Sequence, residues 1–230
     1  MAIVHIEDKA FIAILVAAGE AYPSKYRPGK HRKPKGASAE GEVHGLLFGQ
    51  RINKAEDTIY NVTLAVPNQI IYERNAKAIT PSLYHIDSIR KLIDLFPSYQ
   101  FLGCFHSHPF KRSEFHRKSS IMFSNIDQMS ALAGVDNAHE NLLEVIFGIT
   151  CLERRARILP YREAHFIHNC CGVYKYTLAC YEAAESAEKL LAVDNIICPA
   201  ASGMVCFDFG QGKDTTQHKT GKADGNNEKK

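Results

Sequence analysis

The chain has 230 residues, 45% of them hydrophobic, enough to bury a substantial core as one domain of ordinary or slightly large size. Lys and Arg number 28 against 25 Asp and Glu, a formal net charge of +3, so no strong field argues for nucleic acid. No apolar run reaches the length of a membrane-spanning helix, and Ala10 to Gly19 follows two acids where a signal peptide carries basic residues, so we expect a soluble, cytoplasmic protein.

In chain order, Asp8 is placed to cap a helix from Lys9 to about Ala21, burying Phe11, Ile12, Leu15, Val16 and Ala18 before Pro23 stops it. Residues 24–41 are rich in Pro, Gly and base and read as an exposed loop. Its Lys25, Arg27, Lys30, Arg32, Lys33 and Lys35 are a solvated run or a contact for an acidic partner or phosphate. Glu42 to Gly49 reads as a strand that begins with an acid, and Thr58 to Val66 as its antiparallel neighbour. Thr80 and Pro81 open a helix in which Leu83, Ile86, Ile89, Leu92 or Ile93, and Phe96 recur at helical spacing to Pro97.

Phe101 to His108 reads as a buried strand closed by Pro109, and Asp127 starts a helical run to Ala133. Leu142 to Thr150 is a further strand, Ala156 to Arg162 an edge strand weakened by Pro160, and Val173 to Val193 an amphipathic, alanine-rich helix. Seven cysteines without framework spacing, Cys170 and Cys171 adjacent, point to reduced thiols. These elements lead us to expect an α+β fold, a curved mixed β-sheet flanked by helices. The expected divisions are a catalytic domain at 1–168, a C-terminal helical extension at 169–210 packed on it, and a disordered polar tail at 211–230.

The chemistry gathers at Phe101 to Asp127. On a strand His106 and His108 point the same way and Ser107 the other, so two imidazoles can bind one small cation. Zinc accepts imidazole nitrogen and carboxylate oxygen, and Asp127 is the natural third ligand. The histidines also suit a hydrogen-bonded half-buried pair, and Ser124 to Asp127 also fits a helix capping box. A second metal or redox site at His165, His168, Cys170 and Cys171 competes with a simpler reading as buried thiols beside histidines.

Glu42, His106-Ser107-His108-Pro109 and Ser124-x-x-Asp127 together resemble the JAMM (MPN+) zinc metalloprotease family over roughly residues 5–165. The resemblance implies the MPN fold, related to that of cytidine deaminases, and one catalytic zinc held by His106, His108 and Asp127. It further implies Glu42 as general base for the attacking water and Ser124 as hydrogen-bond donor to the oxyanion. The implied reaction is hydrolysis of the amide bond after the C-terminus of ubiquitin or a ubiquitin-like protein, as an isopeptidase or peptidase. The stretch between Pro109 and Ser124 is longer than the family's, so residues 110–120 contain an insertion beside the site. It is either a substrate-holding or covering loop or a tolerated surface insertion. The alternative function is a non-catalytic MPN-type scaffold that binds a protein partner, with the 173–193 helix as a possible contact.

Overall fold

Ala2–Ile6 alternates buried and half-buried side chains and forms the first strand, β1, of a large mixed sheet. The computed structural model describes residues 1–29, 40–74, 79–116, 142–183 and 190–203. Helix α1 (Asp8–Ala21) follows, then β2 (His44–Lys54), β3 (Asp57–Pro67), β4 (Ile71–Arg74), β5 (Ile79–Pro81) and α2 (Leu83–Ile93). The chain continues through β6 (Gln100–Pro109), β7 (Leu142–Cys151), β8 (Tyr161–Glu163), β9 (Phe166–Cys171), β10 (Tyr174–Ala183), β11 (Leu191–Ala192) and β12 (Asn195–Ile197). The basic residues at 30–39, the capping box and helix expected at 124–133, and the 211–230 tail lie outside the described residues.

The main sheet runs β12-β1-β3-β2-β6-β7-β10-β9-β8, with β11 paired to β10, while β4 and β5 form a separate ribbon. The β1–β12, β1–β3 and β6–β7 pairs are parallel and the rest antiparallel. The nine strands of that path curl into a nearly closed barrel. Two contacts mark the curl: the Arg162 guanidinium of β8 donates to the Asn195 side-chain amide oxygen of β12, joining the two ends of the path, and the Tyr60 hydroxyl of β3 donates to Glu182 of β10. Helix α1 lies on the inner face, where its Phe11 ring packs on Phe147 of β7 and Tyr176 of β10 with centroids 6.1 and 5.5 Å apart.

This overturns the expected sheet flanked by helices: the described chain is mainly β, with only two α-helices among the described residues. The largest single cause is the Val173 to Val193 segment, expected as a helical extension and a partner contact. Residues 174–183 are instead a central strand hydrogen-bonded to β7 and β9. Tyr176, Leu178 and Cys180 face the inner core while Thr177 and Ala179 are buried on the outer face. A strand covered on both faces loses the polar alternation that would distinguish it from an alanine-rich helix.

Smaller corrections have local reasons. Asp8 is inside α1 rather than its cap, and its carboxylate accepts the Ala200 N–H at 3.1 Å. Helix α1 turns Ala10, Phe11, Ile14 and Ala18 inward and leaves Ile12 and Val16 half exposed, because small residues at 10, 18 and 19 allow close approach to the sheet. Thr80 and Pro81 belong to β5, and Ser82 caps α2, its hydroxyl oxygen accepting the His85 N–H at 3.3 Å. The expected edge strand at 156–162 begins only after Pro160, as β8.

Arg27, expected among the exposed bases, is buried. Its guanidinium donates to the carbonyls of Gly19 and Tyr22 and to the Tyr174 hydroxyl, closing the C-terminal end of α1 against β10. Cys104, Cys151, Cys170, Cys180 and Cys198 are thiols, and burial pushes Cys198 up to about 12. No helix among the described residues is long and apolar enough to cross a membrane.

Candidate metal centre

The histidine strand owes its orientation to one glycine. The β2–β6 pairing shifts register at Gly103, whose φ is +145°, and a Cβ there would lie 1.9 Å from the Leu143 carbonyl oxygen. The bulge lets Leu102 and Phe105 both face the inner core, so Cys104, His106 and His108 emerge together on the outer face. Ser107 points inward and clamps the neighbouring strand: its N–H donates to the Val43 carbonyl at 2.8 Å and its hydroxyl oxygen accepts the Val43 N–H at 2.9 Å.

That clamp fixes the residue before Val43, which is Glu42, buried with 6% of its surface exposed. His44 is the cross-strand partner of His106, the last pair of the ladder; Val43 then meets Ser107 through the clamp, and Glu42 precedes it. The expected base and the two expected histidine ligands thus share one end of the β2–β6 ladder. Glu42 precedes β2 rather than opening it.

His106 is buried, with 6% of its surface exposed, and His108 is half-buried, their ring centroids 4.8 Å apart. Two imidazoles on one tetrahedral zinc, with Zn–N about 2.0 Å, hold their ring centroids about 5 Å apart. The observed separation is close to that distance. The third ligand, Asp127, and the oxyanion donor, Ser124, lie outside the described residues, and no closed set of three His, Cys, Asp or Glu ligands occurs among the described ones.

Two neighbours complete the outer face. The Asn68 side-chain amide lies 2.8 Å from His44 Nδ1 and pairs with it. Part of His44 stays accessible to solvent, but the ring is set deep among its neighbours and this burial pushes its pKa down to about 4. Glu144 of β7, with 8% of its surface exposed, places a carboxylate oxygen 4.0 Å from His106 Nδ1. Sequence reasoning assigned Glu144 nothing, although a lone acid within the apolar run LLEVIFGIT was a visible signal.

The start of the insertion packs against the site. The rings of His108 and Phe110 lie 6.3 Å apart and those of Phe110 and Phe115 6.1 Å apart. Phe115 is buried and stacks on His168 of β9 at 5.8 Å, and the Tyr22 hydroxyl donates to the Phe110 carbonyl at 2.5 Å. His168 Nδ1 also lies 2.9 Å from the Thr177 hydroxyl, whereas His165 packs on Phe166 and Tyr181. The two histidines have different surroundings, and the structure does not gather the 165–171 cluster into one ligand set among the described residues.

Comparison of the chain with protein-family models and with curated sequences gives no match. The functional reading therefore rests on the residues themselves.

Proposed function

We propose that the chain is a zinc-dependent peptidase or isopeptidase resembling the JAMM (MPN+) family, acting on the amide bond after the C-terminus of ubiquitin or a ubiquitin-like protein. The observation that carries the proposal is the geometry at the ladder end: His106 and His108 on one face with ring centroids 4.8 Å apart, and Glu42 buried two residues before His44, the partner of His106.

Zinc, when bound, supplies a Lewis acid that lowers the pKa of a coordinated water toward neutrality. His106 and His108 hold that ion through imidazole nitrogen, with Asp127 as the third ligand by the sequence pattern alone. The Glu42 carboxylate takes the proton of the attacking water and returns it to the leaving amine. Ser124, again by pattern alone, donates to the oxyanion, an effect of about 3 kcal/mol where such donors have been removed elsewhere. No covalent intermediate with a protein thiol is involved, so alkylating agents leave the activity intact.

Metal analysis of the purified chain tests the proposal at its base. We expect one zinc per chain, lost in His106→Ala and His108→Ala. A parent protein that takes up no zinc when reconstituted would sink it. The non-catalytic alternative predicts partner binding that survives His106→Ala and no turnover of any ubiquitin-like substrate.

A further inference from the structure

Glu144 is a buried acid in a strand whose other residues, Leu142 to Cys151, are apolar or small apart from Thr150. Burying a carboxylate is costly unless its charge is used. Its surroundings show what it faces. Cys104, two residues before His106, is its cross-strand partner, and His106 is paired one step on with Ile146, so Glu144 and His106 are diagonal neighbours on the outer face. The Cys104 thiol is pushed well above its ordinary range by burial first and then by the negative charge of Glu144, with Arg90 pulling the other way. His106 Nδ1 lies 4.0 Å from Glu144 Oε2.

We propose that Glu144 is the outer-sphere partner of His106: its carboxylate accepts the Nδ1–H, fixing the ring's tautomer and rotation so that Nε2 is the nitrogen offered to the metal. The inference rests on the zinc reading above and extends it to a residue outside the ligand set. Metal-bound imidazoles commonly donate their second nitrogen to a carboxylate, which orients the ring and raises its basicity. The 4.0 Å separation is about 0.8 Å beyond the limit of an N–H···O bond, so the proposed bond requires the two side chains to draw together by that much. Because β6 and β7 are directly paired and parallel at this point, the two groups are held in fixed register by backbone hydrogen bonds. Glu144 is thus a positioning residue.

The test uses the full chain with Glu144→Gln, Glu144→Asp and the parent, measuring zinc affinity by competition with a chromogenic chelator and unfolding of each metal-free protein. We expect Glu144→Gln to bind zinc about 10- to 100-fold more weakly than the parent, with Glu144→Asp recovering part of the loss. A parent that binds no zinc defeats the reading on which the inference rests. A parent that binds zinc, with Glu144→Gln binding it equally well, overturns the inference alone, and a lowered melting temperature in that variant would assign Glu144 a purely structural role. A second readout needs no variant: nitrogen-15 imidazole spectra of the zinc-loaded parent should give His106 a proton on Nδ1. A proton on Nε2 overturns the proposal.

Discussion

Substituting Gly103 by alanine tests backbone strain and close approach together, and comparison with Gly172 separates them. An alanine at φ +145° occupies a region that costs about 1–3 kcal/mol for a residue with a side chain. Its Cβ would also lie 1.9 Å from the Leu143 oxygen and 2.6 Å from the Leu143 nitrogen, where real contacts almost never fall under 3.0 Å. β6 and β7 must therefore part by more than about 1 Å, weakening ladder hydrogen bonds worth about 1 kcal/mol each. The sum is about 3–5 kcal/mol, or a fall in melting temperature of roughly 6–20 °C for a chain of this size. Gly172→Ala is the control: its φ is +60° but nothing lies within 4 Å of a Cβ, so strain alone applies, about 1 kcal/mol and roughly 2–4 °C. Thermal melts followed by circular dichroism would read both. Equal shifts, or a Gly103→Ala melt within about 2 °C of the parent, would refute the claim that the bulge is built on this glycine.

Phe115→Ala removes a buried ring stacked on His168 and should cost about 3 kcal/mol in urea unfolding. A cost under about 1 kcal/mol would make the described part of the insertion a surface appendage. His44 gives a pH dependence. Its folded pKa of about 4 lies below the unfolded 6.5, so its contribution is fully present above pH 6.5 and is lost as pH falls from 6.5 towards 4, while the unfolded chain takes up the proton first. The loss is at most about 3 kcal/mol, reduced by the part of the ring that meets solvent. Denaturant unfolding of the metal-free protein between pH 7.5 and 4 should show this slope, and His44→Gln should flatten it; the same slope in both would contradict the assignment.

The candidate site was more legible than the fold. His106 and His108 could be placed on one face because the run from Phe101 is short, apolar and ended by Pro109, and strand alternation then leaves little freedom. Glu42 was legible only through the family pattern; what ties the chain next to it to the histidine strand is the Ser107–Val43 clamp, a side-chain-to-backbone contact that no periodicity encodes. Glu144 carried a signal, an acid within an apolar strand, but its neighbour could be named only once β7 was known to pair in parallel with β6.

The fold was misread where burial on both faces erases pattern. In β10, Tyr176 and Leu178 meet the inner core while Thr177 and Ala179 are buried outside, so the alanines that suggested a helix are small residues packed in a central strand. Helix α1 had the opposite difficulty: it is apolar on most sides, several stripes fit its sequence, and only the close approach allowed at Ala10, Ala18 and Gly19 selects the buried one. Short strands such as β1 and β12 depend on their parallel partners rather than on their own sequence. With these strands recovered, the sheet is long enough to curl toward closure, which is why mainly β architecture replaced the expected layers.

The most direct test of the central claim is cleavage. The zinc-loaded parent, the chelated parent and Glu42→Gln would each be incubated with a panel of ubiquitin-like fusions, and the products identified by mass. The account predicts hydrolysis at the bond after the ubiquitin-like C-terminus by the zinc-loaded parent alone, with a loss of at least about 100-fold in Glu42→Gln at unchanged zinc content. Cleavage by Glu42→Gln at the parental rate, or equal turnover with and without chelator, would contradict it.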